Sequence, residues 1–180
     1  MFNINMIRVL PCIVPVTSSG DVMLIQVEIA SFAVDPNRNT PLLLLKESGG
    51  ARSLAIPMGP MEASTIAMES LKVTTEKPVT IDLVRLVMEQ LGGELNRILI
   101  YDYHESSFLS VVQISANGTV LSIDCRPCDA IALAMRCNKP IFVKDFVFDK
   151  VNGRVMTEKE ILKKNISSID TTEFGRYILE

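Results

Sequence analysis

Ile123-Asp124-Cys125-Arg126-Pro127-Cys128-Asp129-Ala130 lies over Ile56-Pro57-Met58-Gly59-Pro60-Met61-Glu62-Ala63 when the chain is slid along itself by 67 positions. Extended without a gap, Pro41–Met68 covers Phe108–Met135 with 8 identities in 28 positions, among them Leu42/Leu109, Ser48/Ser115, Leu54/Leu121 and Ala67-Met68/Ala134-Met135. The matches gather where an apolar run hands over to proline, then an acid, then alanine. Proline at the first helical position and an acid in the first turn mark the start of a helix. We read a duplicated hairpin-plus-helix unit, with two such units around one mixed or antiparallel sheet: an α+β fold.

Working outward, Ile7–Val16 and Val22–Val34 are β-branched, apolar and separated by Thr17-Ser18-Ser19-Gly20-Asp21, which predicts two strands. Leu42–Lys46 and Ser53–Pro57 flank Ser48-Gly49-Gly50 as a hairpin. A helix is predicted over Glu62–Leu71, its apolar face made by Ala63, Ile66, Ala67 and Leu71. Thr80 reads as the N-cap of a helix to Leu91, with Val84, Val87, Met88 and Leu91 as its apolar stripe and Gly92-Gly93 as its stop. Strands follow at Leu95–Tyr103, Phe108–Ser115 and Thr119–Ile123, the last two joined by Asn117-Gly118; then a helix over Asp129–Cys137 and a short strand Ile141–Val143. This gives one domain over residues 1–148. Residues 149–180 read as a polar tail with one short helix, started by the capping box Thr157-Glu158-Lys159-Glu160 and ending about Lys164.

Composition narrows the function classes. A chain of 180 residues, 48% hydrophobic and 22% charged, is long enough for a real core and is not a disordered sequence. Its apolar runs fall far short of the ~18 residues of a membrane span, and the N-terminus lacks the pattern of a signal peptide. The cysteines (Cys12, Cys125, Cys128, Cys137) are too few and too unevenly placed for a disulfide framework, so a cytoplasmic protein with reduced thiols is expected. The single histidine, His104, rules out chemistry that needs two from one chain. A net charge of −3 argues against a protein that grips nucleic acid chiefly by neutralising phosphates, while leaving room for brief handling at a local basic patch. A mean hydropathy of +0.28 predicts an apolar interface and a homo-oligomer, most simply a dimer.

The turn from Asp124 to Asp129 is the densest chemical constellation, with two carboxylates and a guanidinium at a helix start whose free N–H groups favour anions. A structural reading makes Asp129 a helix-start charge and pairs Arg126 with Asp124. A functional reading has Arg126 hold a phosphate bidentately while a carboxylate binds a divalent cation, Mg²⁺ or Mn²⁺, or activates water. Asp124, Arg126, Asp129 and the mirrored Glu62 are therefore candidate catalytic residues, and Asp124 and Asp129 candidate metal ligands. Arg52, Arg126, Arg136 and Lys139, with Arg85 and Arg97, are candidates for binding phosphate. Cys125-Arg126-Pro127-Cys128 also fits a C-x-P-C redox pattern, but Met58 and Met61 at the matching places favour apolar packing. A zinc site on Cys125, Cys128, Cys137 and His104 would have poor geometry, because Cys137 shares a helix with Cys128. His104 reads as an exposed turn residue and Asp82 as a charge near a helix start.

Ile123-Asp124-Cys125-Arg126-Pro127-Cys128-Asp129-Ala130-Ile131-Ala132-Leu133-Ala134 resembles the signature of the bifunctional nuclease family, approximately Asp-Ala-Arg-Pro-Ser-Asp-Ala-Ile-Ala-Leu-Ala. Arg52-Ser53-Leu54-Ala55-Ile56-Pro57-Met58-Gly59 followed by Glu62-Ala63 resembles the family's Arg-x-Leu-Pro-Ile-x-Ile-Gly…Glu-Ala stretch. Lys77-Pro78-Val79-Thr80-Ile81-Asp82-Leu83 is similar to its Arg-Pro-Leu-Thr-His-Asp-Leu stretch. The resemblance covers residues 7–148 and implies a nuclease acting on DNA and RNA, with nucleic acid as a transient partner. It points first to Asp124, Arg126 and Asp129, then to Arg52, Glu62, Thr80 and Asp82. The chain departs from the pattern at Ile81, which stands where the family has histidine, and at Cys125 and Cys128, which replace small residues. The resulting expectation is a metal-assisted phosphodiesterase. Its rivals are a non-catalytic binding or regulatory module with an anion pocket at Arg126 and, as a minor reading, a dithiol redox protein.

Overall fold

The computed structural model describes residues 23–35, 38–73 and 75–151. The expected strand Ile7–Val16, Cys12 and the expected tail helix lie outside these residues. Along the chain run β1 (Leu24–Asp35), β2 (Thr40–Glu47), β3 (Ser53–Pro57), α1 (Pro60–Ser70), α2 (Thr80–Gln90), β4 (Gly93–His104), β5 (Ser107–Ala116), β6 (Thr119–Cys125), α3 (Pro127–Cys137), β7 (Ile141–Lys144) and α4 (Asp145–Lys150). The fold is α+β, as expected. One seven-stranded sheet has the order β3-β2-β1-β7-β4-β5-β6, with β4 and β7 parallel and every other neighbouring pair antiparallel.

The crossover through α3 inserts β7 between β1 and β4 and so joins the two hairpins into one sheet. Period-two alternation sends Leu43, Leu45, Ile98, Ile100, Ile141 and Val143 into one core, under the helices. Leu44 turns to the opposite face with Ala33 and Ala55. Helix α3 is the centre of that core. Ala130, Ala132 and Ala134 are buried along it beside Ile131 and Leu133, and their short side chains let α1 and α2 pack closely against it. Although β3 and β6 are opposite edges of the sheet, their ends meet: the Cys128 thiol, at the start of α3, donates to the carbonyl of Pro57 at 3.8 Å. The sheet is coiled enough to bring the two strand-to-helix turns together.

Several expectations shift. Helices α1 and α3 begin two residues earlier than expected, because Pro60 and Pro127 are themselves the first helical residues. Val79, not Thr80, is the N-cap of α2, and the carboxylate of Asp82 accepts from its backbone N–H at 3.2 Å. The apolar stripe of α2 does not face the core as a unit. Ile81 and Met88 pack inward, whereas Leu83, Val84, Val87 and Leu91 are exposed. Helix α4 follows β7 directly, and Val151 at its end is buried with the core.

The two hairpin-plus-helix units share element order, and α1 and α3 have equal lengths, but the pairing register is not shared. Leu43 pairs with Ile56, yet their matches Ser110 and Ile123 do not face each other: Ser110 pairs with Cys125 and Val112 with Ile123. The first hairpin closes through the long loop after Glu47, the second through Asn117-Gly118 with φ of 52° and 75°, a tight type I′ turn. Ile56 is buried, whereas its match Ile123 is exposed.

Candidate functional site

The meeting of the two turns forms a cleft of about 600 Å³. One wall is Ile56–Gly59 with Glu62, another is Asp124–Cys128, and the third is Tyr101 with the β4–β5 turn and the start of β5 (Ser106–Ser110). A Cβ at residue 59 would lie 2.4 Å from Oε2 of Glu62, which folds back over Gly59, so a larger residue there would push that carboxylate aside.

Arg126, the N-cap of α3, holds the cleft's charge together. Its Nη1 donates to Oε1 of Glu62 at 2.8 Å, across from α1. Its Nε and Nη2 donate to the two oxygens of Asp129, at 2.8 and 3.2 Å. Each acid is the third residue of its helix, and each helix starts with proline and lacks a side-chain cap, so the orphan N–H groups of both helices add positive potential at the same place. Bonds from Asp129 first, and then the charges of Asp129 and Glu62, hold Arg126 more firmly protonated than an isolated arginine. The side chain stays open to solvent, 68% exposed, so an incoming anion can reach it.

Asp124 does not pair with Arg126. It accepts from the phenol of Tyr101 at 3.2 Å. Asp129 is absent from the cleft lining, and both of its oxygens accept from the guanidinium of Arg126. Among the described residues no three His, Cys, Asp or Glu side chains gather as a metal-binding group. The carboxylates that line the cleft are Glu62 and Asp124.

The other candidate cations lie elsewhere. Arg52 donates to Glu47 and Asp145 and stacks 4.5 Å above the Phe148 ring, tying the first hairpin to α4. Arg136 contacts Glu69 and Asp82, Lys139 pairs with Glu94 at 2.7 Å, and Arg85 pairs with Glu89. Thr80 is exposed at the start of α2, and Ile81 packs against the core. His104 is exposed, 3.4 Å from Glu105. Sequence reading missed Tyr101 and Ser106–Ser110. They enter the cleft through strand pairing with β6, for which local sequence carries no signal.

The cysteines behave as packing residues. Burial pushes the thiols of Cys125 and Cys128 up to about 11, the reverse of a redox-active pair. Met58 is buried as packing requires, but Met61 is exposed.

A coiled mixed sheet whose two edge strands deliver acid-bearing helix starts to one arginine defines an α+β domain with a charged, solvent-open cleft. The bifunctional nuclease domain model matches residues 43–164, more than half of the chain. The chain is also 34% identical over 135 residues to an uncharacterized protein of Mycobacterium tuberculosis, matched in two strains, covering 75% of this chain and 80% of that one. It is 24% identical over 133 residues to bifunctional nuclease 2 of Arabidopsis thaliana, covering 72% of this chain and 40% of the plant protein. The chain belongs to the bifunctional nuclease domain family.

Proposed function

We propose that this chain hydrolyses phosphodiester bonds of DNA or RNA in the cleft between α1 and α3. The observation that supports this most is Arg126 seated between Glu62 and Asp129 where two helix starts converge, in a domain of the bifunctional nuclease family. A phosphate accepts from the same N–H groups of Arg126 that now serve the two acids, and the orphan N–H groups of α1 and α3 favour it there. When Arg126 turns to the phosphate, Glu62 is released. Its carboxylate takes the proton of the attacking water as the water oxygen bonds to phosphorus; the ester P–O bond breaks and the leaving oxygen takes a proton from solvent. Asp129 keeps the guanidinium oriented through Nε, and Tyr101 orients Asp124. A divalent cation, Mg²⁺ or Mn²⁺, would be held by Asp124 together with substrate oxygens, a common arrangement for Mg²⁺, and would neutralise charge on the phosphoryl group.

The reading extends to a homodimer in a reducing, cytoplasmic setting. The exposed aliphatic row of α2 is an apolar surface suited to a second copy, and the described cysteines are free thiols. Among the described residues no helix is long and apolar enough to cross a membrane.

The experiment is a cleavage assay on single- and double-stranded DNA and on RNA, with Mg²⁺, Mn²⁺ or EDTA, comparing wild type with Glu62→Gln and Asp124→Asn purified identically. Loss of a general base costs about 10²–10⁴ in rate, so Glu62→Gln should fall by at least ~10². Unchanged cleavage in both variants would sink the assignment. A wild type that binds oligonucleotides or phosphate without cleaving them would make the chain an anion-binding module. Light scattering at micromolar concentration tests the dimer, and a monomeric mass refutes it.

A further inference from the structure

The face of the sheet turned away from α1, α2 and α3 carries an arrangement that the cleft does not use. Ile98, Ile100, Ile141 and Val143 point to the core. Their neighbours Arg97, Phe142 and Lys144 therefore stand on the opposite face of the adjacent strands β4 and β7, and Tyr101, at the irregularity of β4 between Ile100 and Asp102, meets Lys144 there. There cations and rings interleave. The guanidinium of Arg97 lies 5.6 Å from the centroid of Phe142. The ammonium of Lys144 lies 5.9 Å from Tyr101 and 5.9 Å from Phe146, and that of Lys150 lies 5.0 Å from Phe146.

Two cations of this face, Arg97 and Lys144, stand outside the ion pairs formed among the described residues. Arg52, Arg85, Arg126, Arg136, Lys139 and Lys150 each meet a carboxylate. Arg97 instead donates to the neutral amide of Gln113 at 2.6 Å, and among the described residues Lys144 forms no salt bridge. A chain of net charge −3 thus keeps cationic groups over the half-buried rings of Phe142 and Tyr101 on one face of the sheet. Tyr101 links that surface to the cleft: its ring lies under Lys144 while its hydroxyl donates to Asp124.

We propose that this face is a platform for single-stranded nucleic acid, with bases stacking at Phe142, Tyr101 and Phe146 and phosphates meeting Arg97 and Lys144. The proposal rests on the nuclease reading and specifies the substrate form. Aromatic rings take unstacked bases, which single strands offer and duplexes withhold. With two uncompensated cations, phosphate neutralisation alone is too small to hold a duplex. A strand crossing the platform past Tyr101 enters the cleft at Asp124.

The test is fluorescence anisotropy with labelled 12-mer dT, 12-mer U and a 12-base-pair duplex, in EDTA and across a salt series. The wild type is expected to bind both single strands more tightly than the duplex. Phe142→Ala should weaken that binding by roughly 5- to 100-fold, the loss of one stacked base. Arg97→Gln with Lys144→Gln should reduce the salt slope by about 1.4, or ~0.7 per lost phosphate contact. Should Phe142→Ala fail to fold, Lys144→Gln alone, at the surface, still reads the slope. No single-strand binding by the wild type at about 0.1 mM, the weak end of non-specific binding, would overturn the platform, as would equal affinity for duplex or indifference to the variants. Because binding is read without turnover, binding without cleavage refutes the nuclease and leaves the platform. Cleavage with variant-insensitive binding does the reverse.

Discussion

Replacing Arg136 by methionine tests whether this cation serves substrate or structure. Its Nε lies 3.1 Å from Oε2 of Glu69 on α1 and 2.6 Å from Oδ1 of Asp82 on α2, and its Nη2 donates to Oδ2 of Asp82 at 3.0 Å. One side chain from the last turn of α3 thereby ties the three helices on the sheet. The guanidinium side chain is 24% exposed and each acid 14%, so the group sits closer to the buried than to the surface case. Exposed pairs contribute about 0–1 kcal/mol, whereas removing one partner of a buried pair costs about 3–5 kcal/mol because a charge is stranded. We take about 2–3 kcal/mol for Arg136→Met, which keeps the apolar stem but leaves two facing carboxylates. At roughly 2–4 °C per kcal/mol for a domain of this size, the midpoint of thermal unfolding falls by about 5–10 °C. Circular dichroism melts at neutral pH and low salt measure it. Adding Glu69→Gln and Asp82→Asn should recover at least half of the loss, because the stranded charges are then gone. A melting shift under about 2 °C together with weakened oligonucleotide binding would refute the structural assignment and restore Arg136 as a substrate contact.

Glu62 and Asp129 occupy matching helix positions but should not be equivalent. Glu62→Gln, at the cleft, should lower kcat with little change in KM, whereas Asp129→Asn, behind Arg126, should chiefly raise KM; the opposite split in steady-state kinetics would exchange their roles. With the Cys125 and Cys128 thiols at about 11, alkylation by iodoacetamide at pH 8 should be roughly 200-fold slower than for a free thiol of pKa ~8.5; a free-thiol rate at either site contradicts their burial. The same shifts set a sign for stability. The unfolded thiols deprotonate first, so stability falls as pH rises from ~8.5 towards the folded value, and urea midpoints that stay flat through that window would count against it. Finally, Glu105 and Ser106 form the β4–β5 turn with φ of 47° and 66°, the type I′ geometry made from residues that disfavour it. Glu105→Asn with Ser106→Gly should stabilise by about 1–2 kcal/mol, and an unchanged melting midpoint would show that the turn is not strained.

What the sequence made legible was local, and what it hid was pairing. Both strand-to-helix hand-overs could be read because proline, the acid at the third helical position and the following alanines act within one turn of helix. The gap-free match of the two units carried the same information. It could not carry register, because a two-residue Asn117-Gly118 turn and the longer loop after Glu47 close their hairpins differently. A shift of two residues preserves which face each side chain takes while changing its cross-strand partner, so Ser110, and not Phe108 as the first unit's register would have it, stands opposite Cys125. The stripe of α2 misled for a related reason. Periodicity reports that a helix has an apolar side, not which neighbour covers it. Here the side toward α3 is taken by the charged contacts of Asp82 with Arg136, which leaves Val84, Val87 and Leu91 uncovered. The candidate site was legible as two separate motifs, but Arg126 was first given a partner in its own turn, Asp124. Its contact with Glu62, 64 residues away, depends on β7 entering the middle of the sheet and on the coil that follows. Sequence therefore supplied the chemical groups of the cleft, and topology decided which carboxylates line it and which one sits behind the arginine.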